Sequence, residues 1–324
     1  MKILLTGANG FVGSHIVEEL ILNNYDVTCI VRKNSNLQWI KTQSVKLKYG
    51  SLEDKQFLKE VVSDVDIVIH CAGVVRALDW NAYHEVNVVA TKKIIESVLE
   101  NNINLKKFIF ISSQAAMGPS FGGKIRQLND EEYPVSDYGR SKLLAEKEVK
   151  QLEGKIPYTI FRPSAVYGPR DKDIFAFFSM VNKHIVPKTV SNHFIQLVFA
   201  PDIAKVILKS INLQNTNNKI YYLCDGKTYT WKDVADIIAV SNNIKTITVP
   251  IFDFVFKIVG NIYEIIGNIS KKPQVLNKQK ITEMLQTSWT CDNSEVIKDI
   301  NFKFENLENG AKITYNWYSI NKWF

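Results

Sequence analysis

Short apolar runs alternate with helical patterns through the first half of the chain. Six segments read as strands: KILLT (2–6), DVTCIV (26–31), VKLKYG (45–50), DIVIHCA (66–72), KFIFIS (107–112) and YTIFRP (158–163). Between them, Val12–Leu22, Asp54–Val62, Tyr83–Glu100 and Tyr138–Leu152 carry apolar residues at helical spacing. Strands this continuously apolar are buried on both faces. Their alternation with helices implies a parallel sheet covered on both sides by right-handed crossovers. The pattern predicts an α/β protein with a Rossmann-type doubly wound parallel sheet over residues 1–165. Segments near 195–225 complete it, where IYYLC reads as a further strand.

After Pro163 the rhythm loosens, and residues 166–324 read as a smaller, mostly helical substrate-binding or lid region that opens with the aromatic-rich IFAFFSMV. Within it, IFDFVFKIVGNIYEIIGNI (251–269) places Asp253, Lys257, Asn261, Glu264 and Asn268 on one stripe, leaving a wide apolar face. The first expectation for that face is packing onto the core or over a substrate pocket. Peripheral attachment to a membrane surface is the lesser alternative.

Composition narrows the classes. The 324 residues are 46% hydrophobic and 23% charged, as in an ordinary globular chain. No uncharged apolar run approaches the ~18 residues of a transmembrane segment, and no secretory signal is visible. Cys29, Cys71, Cys224 and Cys291 form no CxxC pair, so a cytoplasmic protein with reduced, mostly buried thiols is expected. The net charge of +7 would suit an anionic partner. The basic residues, however, form only pairs (Lys92-Lys93, Lys106-Lys107, Lys271-Lys272), which read as solvated helix faces, and no nucleic-acid partner is expected. His15, His84, His184 and His193 have no ligand spacing and His70 reads as a buried strand residue, so no metal is predicted.

The first strand breaks into TGANGFVG, with glycines at 7, 10 and 13. A strand, a glycine turn and a helix start in this order bring backbone N–H groups and a positive helix end against a pyrophosphate. Gly7 permits the tight turn, Gly10 the approach of the backbone to phosphates, and Gly13 the close packing of helix on strand. Asn9, Phe11 and Val12 complete this candidate cofactor turn. Downstream, Tyr138 and Lys142 in YGRSK stand one helical turn apart on one face. A tyrosine with a pKa near ~10 is a poor base at neutral pH, and a neighbouring ammonium favours its phenolate.

TGANGFVG resembles the TGxxGxxG fingerprint of the extended short-chain dehydrogenase/reductases of the epimerase/dehydratase type. The resemblance continues through HCAG (70–73), NVVAT (87–91), ISS (111–113), YGRSK (138–142) and RPSAVYGPR (162–170), in the family's order and spacing. It implies a Ser-Tyr-Lys site of Ser113, Tyr138 and Lys142, with Ser113 holding the substrate oxygen. It also implies Ala72 and Gly73 at the cofactor ribose, Asn87 lining the nicotinamide side and supporting the active site, and Pro163 among the cofactor-binding residues. A homodimer through the sheet-side helices is common in this family. Its NAD-preferring members place an acidic residue at the end of the second strand. Here Arg32 and Lys33 stand there, which favours NADP, with NAD as the alternative. The usual Gly-Asp at adenine reads Gly50-Ser51, leaving Ser51 to hydrogen-bond the base and Leu52 to pack on it.

A nucleotide-sugar dehydratase would carry an Asp-Glu pair where Gln114-Ala115-Ala116 stands, so that reading is poor. A nucleotide-sugar epimerase usually has asparagine at the position of Ala165, which removes one contact without excluding the activity. The favoured expectation is an NADP-linked oxidoreductase exchanging hydride between NADP(H) and a carbonyl or secondary alcohol, resembling dihydroflavonol reductases and 3β-hydroxysteroid dehydrogenases. The alternatives are the epimerase and a non-catalytic NADP-binding sensor or RNA-binding scaffold. The substrate is expected to be a small molecule.

Overall fold

The computed structural model describes residues 1–274 and 277–324, without the side chains of Lys257 and Asn268. The first half runs β1 (Lys2–Thr6), α1 (Phe11–Leu22), β2 (Asp26–Val31), β3 (Lys46–Tyr49), α2 (Lys55–Val62), β4 (Ile67–His70), α3 (Trp80–Tyr83), α4 (Ala90–Asn101), β5 (Lys107–Ile111), α5 (Asp137–Val149) and β6 (Tyr158–Pro163). Next come β7 (Ala165–Tyr167), α6 (Phe175–Asn182), β8 (Ile185–Thr189), β9 (Phe194–Ile195), β10 (Leu197–Phe199), α7 (Ala200–Ser210) and β11 (Lys219–Leu223). The chain ends with β12 (Tyr229–Thr230), α8 (Trp231–Ser241), β13 (Ile247–Ile251), α9 (Asp253–Ser270), α10 (Lys278–Met284), β14 (Ser288–Trp289), α11 (Ser294–Ile300) and α12 (Leu307–Ile320).

Seven parallel strands form one sheet in the order β11-β6-β5-β4-β1-β2-β3. Strand alternation divides the core between its two faces. Ile3, Leu5, Ile67, Ile69, Ile109 and Ile111 point toward α1 and α7, whereas Leu4, Val68, Phe108 and Phe110 point toward α2, α4 and α5. The doubly wound fold expected from the sequence is thereby present. The chain reverses its direction of winding between β1 and β4, and the crevice at their carboxyl ends is where such sheets bind ligands. A third core beyond the sheet gathers Phe178, Val186, Leu197, Ile238 and Tyr318 from α6, β8, β10, α8 and α12, with short strand pairs among the helices.

The structure departs from the sequence pattern at three places. The single helix expected over Tyr83–Glu100 is α3, a π-helical turn at His84–Val89, and α4. Such turns insert where a side chain is drawn to an outside partner. Asn87 sits in this one and bonds three groups on other elements, described below. Lys107, expected on a solvated face, is only 2% exposed at the start of β5. Its ammonium donates to the carbonyls of Ser210 and Leu213 and to Thr216 Oγ1 at 2.8, 3.0 and 2.7 Å, closing the carboxyl end of α7. Burial pulls its pKa down to about 8.

The third departure is α9, which forms where expected but faces the other way. Gly260 lies against Ile281 of α10, where a Cβ would stand 2.8 Å from Ile281 Cγ1. Glu264 Oε2 accepts the Lys278 N–H at 3.2 Å, and Asp253 faces His193 at 3.5 Å. Lys257 and Asn268, two members of the polar stripe, lie outside the described side chains. The side that meets the protein therefore carries Gly260, Gly267, Asp253 and Glu264 together with Phe256 and Val259, with Asn261 of the polar stripe left exposed, while Ile258, Ile262, Ile265 and Ile269 are 52, 49, 59 and 79% exposed. The face expected on the core or over a pocket is open. Among the described residues no helix is long and apolar enough to cross a membrane.

Candidate active site

The glycine turn follows β1 directly. Gly7 has φ +73°, and a Cβ there would lie 2.6 Å from the Ala72 nitrogen. A Cβ on Gly13 would lie 2.1 Å from the Gly7 carbonyl oxygen, so α1 approaches β1 this closely only without a side chain. α1 begins at a glycine N-cap with no side chain capping it and no acidic residue in its first turn. Its first N–H groups point to the crevice with no competing carboxylate, a surface that fits a pyrophosphate. Val12 packs on the core and Phe11 lies edge-on to His15, at 5.9 Å between ring centroids. Asn9 Nδ2 donates to the Asn36 carbonyl at 3.3 Å, tying the turn to the loop after β2. That loop carries Arg32 and Lys33, both exposed and in no ion pair among the described residues. Ser51 is exposed after β3, with Leu52 partly buried beside it.

Ser113 lies two residues past β5, where its Oγ accepts the Ala115 N–H at 3.1 Å and its hydroxyl neighbours the Tyr138 phenol. Tyr138 opens α5, whose N-cap Ser136 accepts the Gly139 N–H at 3.0 Å. Burial raises the Tyr138 pKa, against the opposing pull of the neighbouring Ser113, so the phenol keeps its proton. One turn on, Lys142 reaches back to β5. Its Nζ donates to the Ile111 carbonyl at 2.6 Å and stands 4.3 Å from the centroid of Phe110. Burial lowers its pKa to about 8, while the neighbouring Cys71 and Glu146 hold it up. Asn87 gathers the surrounding pieces: its Oδ1 accepts the Val74 N–H at 2.8 Å, and its Nδ2 donates to the Val74 carbonyl at 3.0 Å and to Ser141 Oγ at 2.8 Å. Gly73 lies against it, a Cβ there being 3.0 Å from Asn87 Oδ1. Pro163 ends β6 at the same edge of the sheet. The crevice so formed holds a proton-bearing phenol, a hydroxyl beside it and an ammonium behind, next to an anion-accepting turn. That set can deliver a proton to, or remove one from, an oxygen held at Ser113.

Several buried groups that organise this edge escape motif reading. Thr91 Oγ1 donates to the Asn87 carbonyl at 2.6 Å, so it accepts from His70 Nε2 at 2.9 Å. His70 Nδ1 then accepts from Thr6 Oγ1 at 2.7 Å, and Thr6 in turn accepts the Ala72 N–H at 3.1 Å. Each hydroxyl donates once along the chain, which fixes the neutral Nε2–H tautomer and joins β1, β4 and the π-helical turn. Burial, with the Lys142 charge acting in the same direction, lowers the His70 pKa from 6.5 to about 3. Below pH 6.5 the unfolded chain binds a proton that the folded one refuses, so stability falls as pH drops from 6.5 toward 3 and is unaffected above. At pH 5 the loss from this group should be about 2 kcal/mol. Urea titrations of the unmodified protein and of His70→Gln at pH 7 and 5 test it; an unchanged pH slope in the variant would remove His70 as its source.

Behind Ser113, Glu146 of α5 and Arg162 of β6 form a buried two-pronged pair, with Nε to Oε1 at 2.9 Å and Nη2 to Oε2 at 2.6 Å. Ser112 Oγ adds a donor to Glu146 Oε1 at 2.5 Å. On the opposite side Arg170, with φ +78°, donates to Ser14 Oγ at 2.9 Å and pairs with Glu18 of α1.

A model described as the NAD dependent epimerase/dehydratase family matches residues 3–224. The UDP-glucose 4-epimerase of Vibrio cholerae is 26% identical over 275 residues, covering 81% of this chain and 82% of that protein. The ceramide reductase of Caulobacter vibrioides is 23% identical over 330 residues, covering 99% and 95%. The structure of a UDP-glucose 4-epimerase with UDP-glucose from Thermotoga maritima superposes with a TM-score of 0.80, at 18% identity, over 99% of this chain and 100% of that one. At that identity the likeness is one of fold.

Proposed function

The chain belongs to the NAD-dependent epimerase/dehydratase family and is an NAD(P)-dependent enzyme, and we propose that it is an NADP-linked reductase or dehydrogenase acting on a carbonyl or secondary alcohol. The observation that carries this reading is the Tyr138 phenol, which keeps its proton beside the Ser113 hydroxyl, with Lys142 one turn along the same helix. Gly7, Asn9, Gly10, Phe11, Val12 and Gly13 would hold the pyrophosphate. Ser51 and Leu52 would flank adenine, Ala72 and Gly73 the ribose, and Asn87 and Pro163 the nicotinamide side. When bound, the nicotinamide supplies or accepts the hydride. Ser113 fixes the substrate oxygen, Tyr138 exchanges its proton with that oxygen, and Lys142 stabilises the phenolate left behind. A phenol that keeps its proton at neutral pH suits the reductive direction, in which it is the acid. Residues 166–324 would build the substrate pocket.

Arg32 and Lys33, without acidic partners among the described residues, favour the 2′-phosphate of NADP. Arg32→Ala should weaken NADPH binding by about ten- to a hundredfold and leave NADH binding nearly unchanged. Fluorescence titration with both cofactors reads this, and equal affinity for NADH in the unmodified protein would overturn the cofactor choice.

A nucleotide-sugar epimerase is the second reading, favoured by the Vibrio cholerae relative and disfavoured by Ala165 at the position of the family's asparagine. An epimerase regenerates its cofactor in every turnover and gains from retaining it, whereas a reductase must exchange it. The expected result is a protein that purifies largely free of dinucleotide and consumes NADPH stoichiometrically with a carbonyl substrate. Retained dinucleotide, with conversion of UDP-glucose to its epimer and no net NADPH loss, decides for the epimerase. The near full-length match to a ceramide reductase directs the first substrate trials to long-chain carbonyls.

A further inference from the structure

The outward face of α9 has no partner in the fold. Phe254, Ile258, Ile262, Ile265 and Ile269 share one side of the helix, opposite Gly260, Glu264 and Gly267, and all five are exposed. The apolar surface continues through Phe252 onto β13, where Ile247 and Val249 are also exposed. A helix of 18 residues is about 27 Å long, so the patch is larger than scattered surface hydrophobics account for. Its two ends are cationic: Lys245 precedes β13, Lys271 and Lys272 follow α9, and all three are exposed and form no ion pair among the described residues. The nearby acids turn inward, Asp253 to His193 and Glu264 to the Lys278 backbone.

We propose that α9 and β13 form a membrane-docking surface, with the apolar side of α9 lying in the plane of an anionic bilayer at the headgroup boundary and the three lysines on the headgroups. A second copy of the chain is the poorer occupant, because face-to-face pairing would bring two sets of lysines together without acids between them. Docking would also set the orientation of the crevice. α9 stands on α10, and α10 grips the start of α5: Ser136 Oγ donates to Glu283 Oε1 at 2.5 Å, and Gln279 exchanges bonds with the Asp137 N–H and carboxylate at 2.8 and 2.6 Å. Tyr138 is the next residue. The end of α5 that carries it is thereby held, through one intervening helix, over the lipid surface, where a lipid-borne substrate would enter.

Flotation of the full chain with vesicles of phosphatidylcholine containing a minor fraction of phosphatidylglycerol tests this. Lipid binding is read without turnover, so its outcome is separate from that of the reaction proposed above. The protein should float with the anionic vesicles, less with pure phosphatidylcholine, and less at high salt. Ile262→Glu with Ile265→Glu should lower the partition by at least about a hundredfold, and Ile269→Glu alone by about tenfold. Lys271→Glu with Lys272→Glu should remove most of the preference for anionic lipid, on the order of tenfold or more. Unchanged circular dichroism melts and NADPH titrations would show that these exposed substitutions leave the fold intact. Failure of the unmodified protein to float would overturn the proposal. So would undiminished flotation of the isoleucine variants, or a lipid-free dimer seen by light scattering that the same variants dissolve.

Discussion

Tyr138→Phe is expected to lower turnover by about two to four orders of magnitude with cofactor affinity nearly unchanged. The substitution removes one oxygen and keeps the ring, which packs 6.4 Å from the centroid of Tyr83. α5 keeps its Ser136 cap and its grip by α10, so the backbone around the site has no reason to move. Ser113 still accepts the Ala115 N–H, and Lys142 still donates to Ile111. What disappears is the proton that burial holds on the phenol. Single-turnover NADPH oxidation, compared with fluorescence titration of the same variant, separates chemistry from binding. If the variant turned over as fast as the unmodified enzyme, Tyr138 would not be the proton carrier, and the Ser113–Tyr138–Lys142 assignment would fall with it.

The groups around that tyrosine were unequally legible. β1, β2 and β6 take the bounds that their runs suggest, because a strand buried on both faces is nearly continuously apolar, the charged exception in β6 being Arg162, held by a buried ion pair. The glycine turn was legible because Gly7 takes a positive φ and a Cβ on Gly13 would strike Gly7 itself, both local requirements, although the Gly7 approach to Ala72, 65 residues on, was not. Lys107 was not, since its carbonyl partners lie 103 and 106 residues away and nothing near it in sequence announces them. The same holds for the His70 chain, which joins residues 64 and 21 positions apart. The π-helical turn at His84–Val89 has helical periodicity on either side, and only the pull of Asn87 on Val74 and Ser141 distinguishes it. For α9 the sequence shows which side is apolar. It does not show which side faces inward, because two glycines decide that by letting the polar side approach α10 and its flanking loop more closely than the isoleucines could.

Loss of the Glu146 carboxylate should cost about 3–5 kcal/mol of stability, the largest effect expected from any single substitution away from the glycine turn. Glu146 and Arg162 are 1% and 2% exposed, and the pair is two-pronged. Glu146→Ala leaves the guanidinium buried beside an empty volume. Nη1 of Arg162 already lacks a partner among the described residues, and the guanidinium carbon stands 5.6 Å from the centroid of the Tyr222 ring. The same substitution frees the Ser112 hydroxyl, adjacent to Ser113, and withdraws one of the charges that hold up the pKa of Lys142. Stability and activity should therefore both fall, and a double variant separates them. Glu146→Met with Arg162→Leu removes both charges and fills much of the space, so urea unfolding should recover most of the lost stability. The lysine would still lack its supporting carboxylate, so its pKa should settle below about 8 and the pH limb it controls should move down with it. Equal destabilisation in the single and double variants would mean that packing, not the stranded charge, sets the cost. Recovery of stability together with an unmoved pH profile would show that the pair braces β6 against α5 without tuning Lys142.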